Sequence, residues 1–267
     1  MKKLLLKPMK WVDSVLERTD KLAPPKSLRL KVGPFGFYVL FKATGRYFFS
    51  CLKKLCGLKS SHSVLDIGCG CGLMAIHLAK FLNLNGRYEG FDISKPFIDC
   101  CKTNISSWYP NFRFQHVDLY NADYNPQGEM KASDWRFPYS DNSFDVVFAK
   151  SVFTHLLPAD MENYLQETAR VLKKGGKCLI TFFLIADRSA GLPKVAKYNF
   201  NFDHDYGSFL TSDPNVPEKA ICYDEKFVLD RLERNRLRLI EPVRYGVWRH
   251  RFTRFPNCQD MIVVSKD

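Results

Sequence analysis

Asp66 stands just before three closely spaced glycines in the run Ser63-Val64-Leu65-Asp66-Ile67-Gly68-Cys69-Gly70-Cys71-Gly72, and a second acid, Asp92, closes Tyr88-Glu89-Gly90-Phe91-Asp92 roughly twenty residues later. Glycines in such a loop let the backbone approach a ligand closely and can aim N–H groups at it. An acid at that later distance suits the hydroxyls of a ribose. The constellation is therefore one for holding a nucleotide-like ligand. A dinucleotide fingerprint needs a small residue at the third glycine place, where helix and strand pack over a pyrophosphate. Here Leu73 fills that place and Gly72 comes one residue early.

Asp66 adds a second argument. Its carboxylate would repel a pyrophosphate, yet it suits a ligand that carries an ammonium group. S-adenosylmethionine has that ammonium and no phosphate, so two acids at two strand tips match the two ends of one small molecule.

The elements that must position these residues follow from hydrophobic patterning. Val64, Leu65 and Ile67 read as a short buried strand, and Leu73 to Phe81 has apolar residues at helical spacing. Strands are expected near 63–67, 87–92, 112–116, 144–149 and 176–184, with helices near 72–83, 95–106 and 159–173. Gly175-Gly176 is expected to stop the last of these helices. Strand alternating with helix is the pattern of a parallel sheet covered on both faces. Before it, residues 11–22 read as a helix with Trp11, Val12, Val15 and Leu16 on one side, and 37–55 as an aromatic-rich helix whose rings are expected to pack in the core. Residues 186–219 lose periodicity and read as an irregular, lid-like insertion. A helix is expected at 225–235, and final strands at 237–243 and 259–265. The domain division expected is an N-terminal helical extension or lid, 1–58, and a cofactor domain, 59–267.

Taken together, Asp66 to Gly72, Asp92, Asp118 and the run from Phe137 to Asp145 resemble the class I S-adenosylmethionine-dependent methyltransferases of the small-molecule type, over about residues 60–185. The resemblance implies a Rossmann-like α/β fold: a doubly wound sheet of about seven strands, mostly parallel with an antiparallel last strand, preceded here by the N-terminal helices. It also implies roles. Asp66, Gly68, Cys69 and Gly70 would take the methionine part, Asp92 the ribose and Ile93 the adenine face. Asp118 and the Leu119 N–H would read the adenine edge, and Lys150 would lie beside the cofactor after the fourth strand. His155, in the loop that faces the transferable methyl group in that family, is a candidate general base, a task suited to a near-neutral pKa. The alternative for His155 is a packed or capping histidine.

Composition narrows the setting. The chain has 267 residues, 46% hydrophobic and 25% charged, as expected of a globular protein. Nine cysteines form no C-x-x-C pair or Cys/His ligand spacing, so no metal is expected, and reduced thiols suit a cytoplasmic protein. No stretch reaches the roughly 20 apolar residues of a membrane span. The net charge of +12 suits either a solvated surface or an acidic partner. The loop after the fourth strand lacks the Asn/Asp, prolines and aromatic found in enzymes that methylate nucleic-acid bases. The acceptor expected is accordingly a small or amphipathic molecule, with peripheral membrane contact favoured over nucleic acid and the oligomeric state open. Two other readings stay open: a non-catalytic module acting through its basic face, and a nicotinamide enzyme.

Overall fold

The computed structural model describes residues 2–187, 194–195, 200–249 and 257–267. They fall into two compact units, one running through Val117 and the other starting at Asp118.

The first unit opens with three helices, α1 (Lys2–Thr19), α2 (Lys26–Arg29) and α3 (Tyr38–Leu55). Helix α1 thus begins earlier and ends sooner than expected. Asp20 follows it and its carboxylate accepts the Leu22 N–H, an Asx turn that closes the helix before the two prolines. Three of the five aromatics of α3 are core, Tyr38, Phe41 and Phe48 being fully buried, while Tyr47 and Phe49 are half-buried.

Strands β1 (Ser63–Ile67), β2 (Arg87–Asp92) and β3 (Phe112–His116) pair in parallel, with Asp66 opposite Gly90 and Asp92 opposite His116. All but the first residue of β1 are buried, which is how a strand covered on both faces reads. The helix after the glycine loop, α4, spans only Ala75–Ala79. Gly68, Gly70 and Gly72 all have positive φ, so the chain cannot turn helical until it has left the loop. Helix α5 (Lys95–Cys101) widens into a single π-turn over Lys102–Ser106.

The second unit is built on β4 (Phe144–Ala149) and β5 (Leu172–Ile185), parallel to each other, with α6 (Pro158–Val171) between them in sequence. Gly175 and Gly176 do not stop α6. They form an irregularity inside β5, where Leu172 pairs with Phe144 but Lys177 already pairs with Val146, and Gly175 takes φ +72°.

The stretch read as an irregular insertion contains short strands. A ribbon pairs β6 (Lys194–Val195) with β7 (Phe200–Asn201). Then β8 (His204–Asp205), β9 (Phe209–Thr211) and β10 (Ile221–Asp224) extend the sheet in the order β5-β10-β9-β8. Helix α7 (Glu225–Arg234) follows. Strand β11 (Leu237–Leu239) is shorter than expected because Pro242 has no N–H to continue the ladder. It pairs with β12 (Asp260–Lys266), which runs antiparallel to β5, as the resemblance implied. The described strands, three in the first unit's sheet and seven in the second's, exceed the seven anticipated because β8, β9 and β10 were not foreseen.

Candidate cofactor and acceptor residues

The glycine loop is tied to the strand beside it. Asp92 accepts the Gly70 N–H at 2.8 Å through one carboxylate oxygen and the Ser94 N–H at 2.8 Å through the other. The Cys69 N–H goes to the Phe91 carbonyl, and the Gly72 N–H to the Cys69 carbonyl. The Gly70 carbonyl accepts the Cys101 thiol. The sequence suggested N–H groups aimed at a ligand. Three of them are instead consumed within the protein, which leaves a loop shaped for close backbone approach and poorly equipped to cradle a pyrophosphate.

The backbone conformation favours glycine here. At Gly72, with φ +89°, a Cβ would lie 2.9 Å from Ile105 Cδ1, a side chain of the π-turn. Gly72→Ala is therefore expected to cost about 1–2 kcal/mol in urea-induced unfolding, from left-handed backbone and overpacking together. An unchanged midpoint would show that the loop relaxes freely.

The two acids differ. Asp66 is only 2% exposed and accepts the Tyr88 hydroxyl at 2.6 Å, so it is a buried anchor of the strand tip. Tyr88 stacks in turn on Phe112 of β3. Asp92 is half-buried, and burial raises its carboxyl to about 6 against the pull of the Ser94 and Gly70 N–H groups. Gly70, Ser94 and the Ile93 backbone all hydrogen-bond to the Asp92 carboxylate, which as an anion has about four acceptor sites in all and so keeps capacity for a hydroxyl. Ile93 is half-buried, and its carbonyl lies 3.2 Å from His116 Nε2. Burial pushes the Cys69 thiol well above the usual range and raises the neighbouring Cys71, while Cys100 is pushed up to about 12. These thiols flank the loop as neutral groups.

In the second unit Asp118 is exposed and accepts the Asn125 side-chain amide at 2.9 Å; the same amide reaches the Leu119 carbonyl. Leu119 is buried. Lys150 is half-buried at the residue after β4, followed by Ser151 in a left-handed conformation at φ +60°. Two side chains fix that turn: the Ser151 N–H donates to Thr181 Oγ1, and Gln259 donates to the Ser151 hydroxyl.

His155 ends a short 3-10 turn. Its Nδ1 lies 2.8 Å from the Glu218 carbonyl, which can only accept, so Nδ1 carries the proton and Nε2 the lone pair. Burial lowers its pKa below the ordinary histidine value. Tyr124 packs edge-on at 5.0 Å, and the Asn121 amide holds the His155 carbonyl. Asn121 also accepts the Asp123 and Tyr124 N–H groups, an Asx turn legible in Asn-Ala-Asp-Tyr. Glu218 gave no sequence signal, because its backbone carbonyl makes the contact.

Residues 64–176 match the family model described as a methyltransferase domain. This segment is a methyltransferase domain. Among curated relatives, 2-phytyl-1,4-naphtoquinone methyltransferase of Nostoc sp. is 28% identical over 49% of this chain and 50% of its own length. The 27-O-demethylrifamycin SV methyltransferase of Amycolatopsis mediterranei is 29% identical over 52% and 45%. The chain thus spans about half the length of these relatives. Among solved structures, geranyl diphosphate C-methyltransferase from Streptomyces coelicolor A3(2), in complex with Mg2+, geranyl diphosphate and S-adenosyl-L-homocysteine, superposes with TM-score 0.56. That match covers 83% of this chain and 77% of that one at 14% identity. The methyltransferase domain therefore has the Rossmann-like fold of its class.

Proposed function

We propose that the chain transfers a methyl group from S-adenosylmethionine to a small or amphipathic acceptor. The observation that carries this reading is the Asp92 carboxylate closed on the Gly70 N–H. Three of the loop's N–H groups are spent, and an acid with acceptor capacity left stands at the next strand tip. That combination suits a ribose on a ligand without phosphate. The complex of the solved relative with S-adenosyl-L-homocysteine, and the methyltransferase names of the curated relatives, support the same choice.

When bound, the cofactor supplies a methyl already activated as a sulfonium, so the protein's task is alignment and exclusion of water. Asp92 would hold the ribose hydroxyls and Ile93 would pack on the adenine. Gly68, Cys69 and Gly70 would present backbone to the amino-acid part. Asp66, buried under Tyr88, would act by positioning the loop. Asp118, with the Leu119 N–H, is assigned the adenine edge and Lys150 a place beside the cofactor; both assignments follow from the family's motif order. Nine cysteines without a disulfide among them support a reducing, cytoplasmic setting.

His155 is assigned the proton of a hydroxylated acceptor, taken at Nε2. Its lowered pKa keeps the ring neutral at pH 7, so the rate is expected to be flat near neutrality and to fall only below the ordinary histidine range. His155→Ala is expected to lower kcat by about 10²–10⁴ and to remove that acid limb. An intact pH–rate profile in the variant would take the base role from His155.

The direct test is incubation with methyl-labelled S-adenosylmethionine and fractionated cell extract. Label in a small-molecule product is expected, and label in nucleic acid alone, or in nothing, would overturn the reading.

A further inference from the structure

An amphipathic helix of a globular protein normally turns its apolar stripe inward. Helix α1 does the reverse. It is held to the fold by its polar edge: Asp13 is buried and accepts the Val39 N–H at 2.8 Å. One turn on, Glu17 receives two N–H groups of Arg29, at 2.8 and 3.0 Å. Arg29 is wholly buried, and it also donates to the Pro24 carbonyl. Asp13 and Glu17 are four residues apart and therefore share a face. Trp11, Val12, Val15 and Leu16 lie off that face and are exposed, Trp11 by 69%. Leu30, Val39 and Leu40 of the same three-helix segment are exposed as well.

The charge is equally lopsided. Residues 1–58 hold thirteen Lys and Arg against three Asp and Glu, which is +10 of the chain's +12. All three acids are engaged internally: Asp13 and Glu17 as above, and Asp20 by Lys42 at 2.8 Å and by the Tyr38 hydroxyl. Lys10, Arg18, Lys21, Lys26 and Lys31 are exposed.

We infer that α1, with Leu30, Val39 and Leu40, docks on the surface of an anionic lipid bilayer, lying in the plane of the headgroups. An outward apolar stripe with an aromatic, set among uncompensated cations, is the composition of an interfacial helix. Anionic lipid adds attraction for each basic residue near the surface. Among the described residues no helix is long and apolar enough to cross a membrane. A second copy is disfavoured as the occupant, because it would bring the same positive segment against this one. Nucleic acid would use the cations but leave the aliphatic stripe without a partner. This inference rests on the packing and charge of α1 and goes beyond the methyl-transfer reading.

The test is co-sedimentation of the full chain with phosphatidylcholine vesicles, with and without about 30% phosphatidylglycerol. Binding is expected to the anionic vesicles, weaker binding to the neutral ones, and weakening with salt. A Trp11→Glu/Leu16→Glu double variant is expected to bind at least about 10-fold more weakly, with unchanged circular dichroism and unchanged titration by S-adenosylhomocysteine. Absence of binding to either vesicle would overturn the inference, as would equal binding by the variant. A concentration-dependent dimer, abolished by the two substitutions without any vesicle binding, would overturn it too. Because the cofactor titration is read separately, failure on vesicles leaves the methyl-transfer reading standing.

Discussion

Asp92→Ala is expected to raise the dissociation constant for S-adenosylhomocysteine by about 5- to 150-fold, equivalent to about 1–3 kcal/mol, the scale for losing hydrogen bonds to a charged acceptor. Two losses contribute. The ribose hydroxyls lose their carboxylate, and the Gly70 and Ser94 N–H groups lose the partner that holds the glycine loop against β2. Asp92→Asn separates them, since the amide retains one acceptor oxygen. Affinity should also depend on pH. Burial has raised the Asp92 carboxyl from 3.8 to about 6, so ionising it opposes folding, and this cost shrinks as pH falls below 6 and is gone below the ordinary value of 3.8. Hydroxyls that donate to the anion act in the opposite sense on binding: affinity should weaken as pH falls through about 6, and that dependence should vanish in Asp92→Asn. Calorimetric titration at several pH values checks both. Unchanged affinity in Asp92→Ala would remove this residue from the ligand site.

Asp260→Ala is expected to destabilise the protein by about 3–5 kcal/mol, the range for breaking a buried hydrogen-bond network. Asp260 is fully buried. One oxygen accepts the Gly246 N–H, and the other accepts both the Leu184 N–H and the Trp248 indole N–H, each at 2.8 Å. Truncation to alanine strands three donors in the interior. It also frees the Trp248 ring, which packs against Phe183 and Phe202 in the core of the second unit. Because Leu184 lies near the end of β5, the loss should loosen the strand that carries Thr181, the acceptor of the Ser151 N–H. Urea unfolding measures the cost, and a loss below about 1 kcal/mol would mean that water replaces the carboxylate.

The sequence and the structure agree best where burial is continuous. Strands β1 to β4 take the bounds read from the sequence, β1 and β4 as largely apolar runs and β3 as an alternation of buried and exposed residues, patterns that leave little freedom of register. The glycine loop was legible as a tight turn between a buried strand and a helix. That Gly70 donates to Asp92 was not, since spacing places two groups near each other without saying which satisfies which. Helix α4 is shorter than its apolar periodicity suggests, because positive φ at Gly72 outweighs helix propensity in the residues around it. Strands β8 and β9, two and three residues long, are too short to show a period of two. The tautomer of His155 depends on a backbone carbonyl 63 residues away, which no side-chain pattern encodes. The outward face of α1 was visible as a stripe, but only the anchoring of Asp13 and Glu17 tells which way it points.

Isothermal titration of the full chain with S-adenosylhomocysteine, and in parallel with NAD, is the most direct measurement. One saturable site for S-adenosylhomocysteine, with no heat from NAD, is the expected result. Saturable NAD binding, with no response to S-adenosylhomocysteine, would contradict the assignment of the glycine loop and Asp92 to a phosphate-free adenosyl ligand.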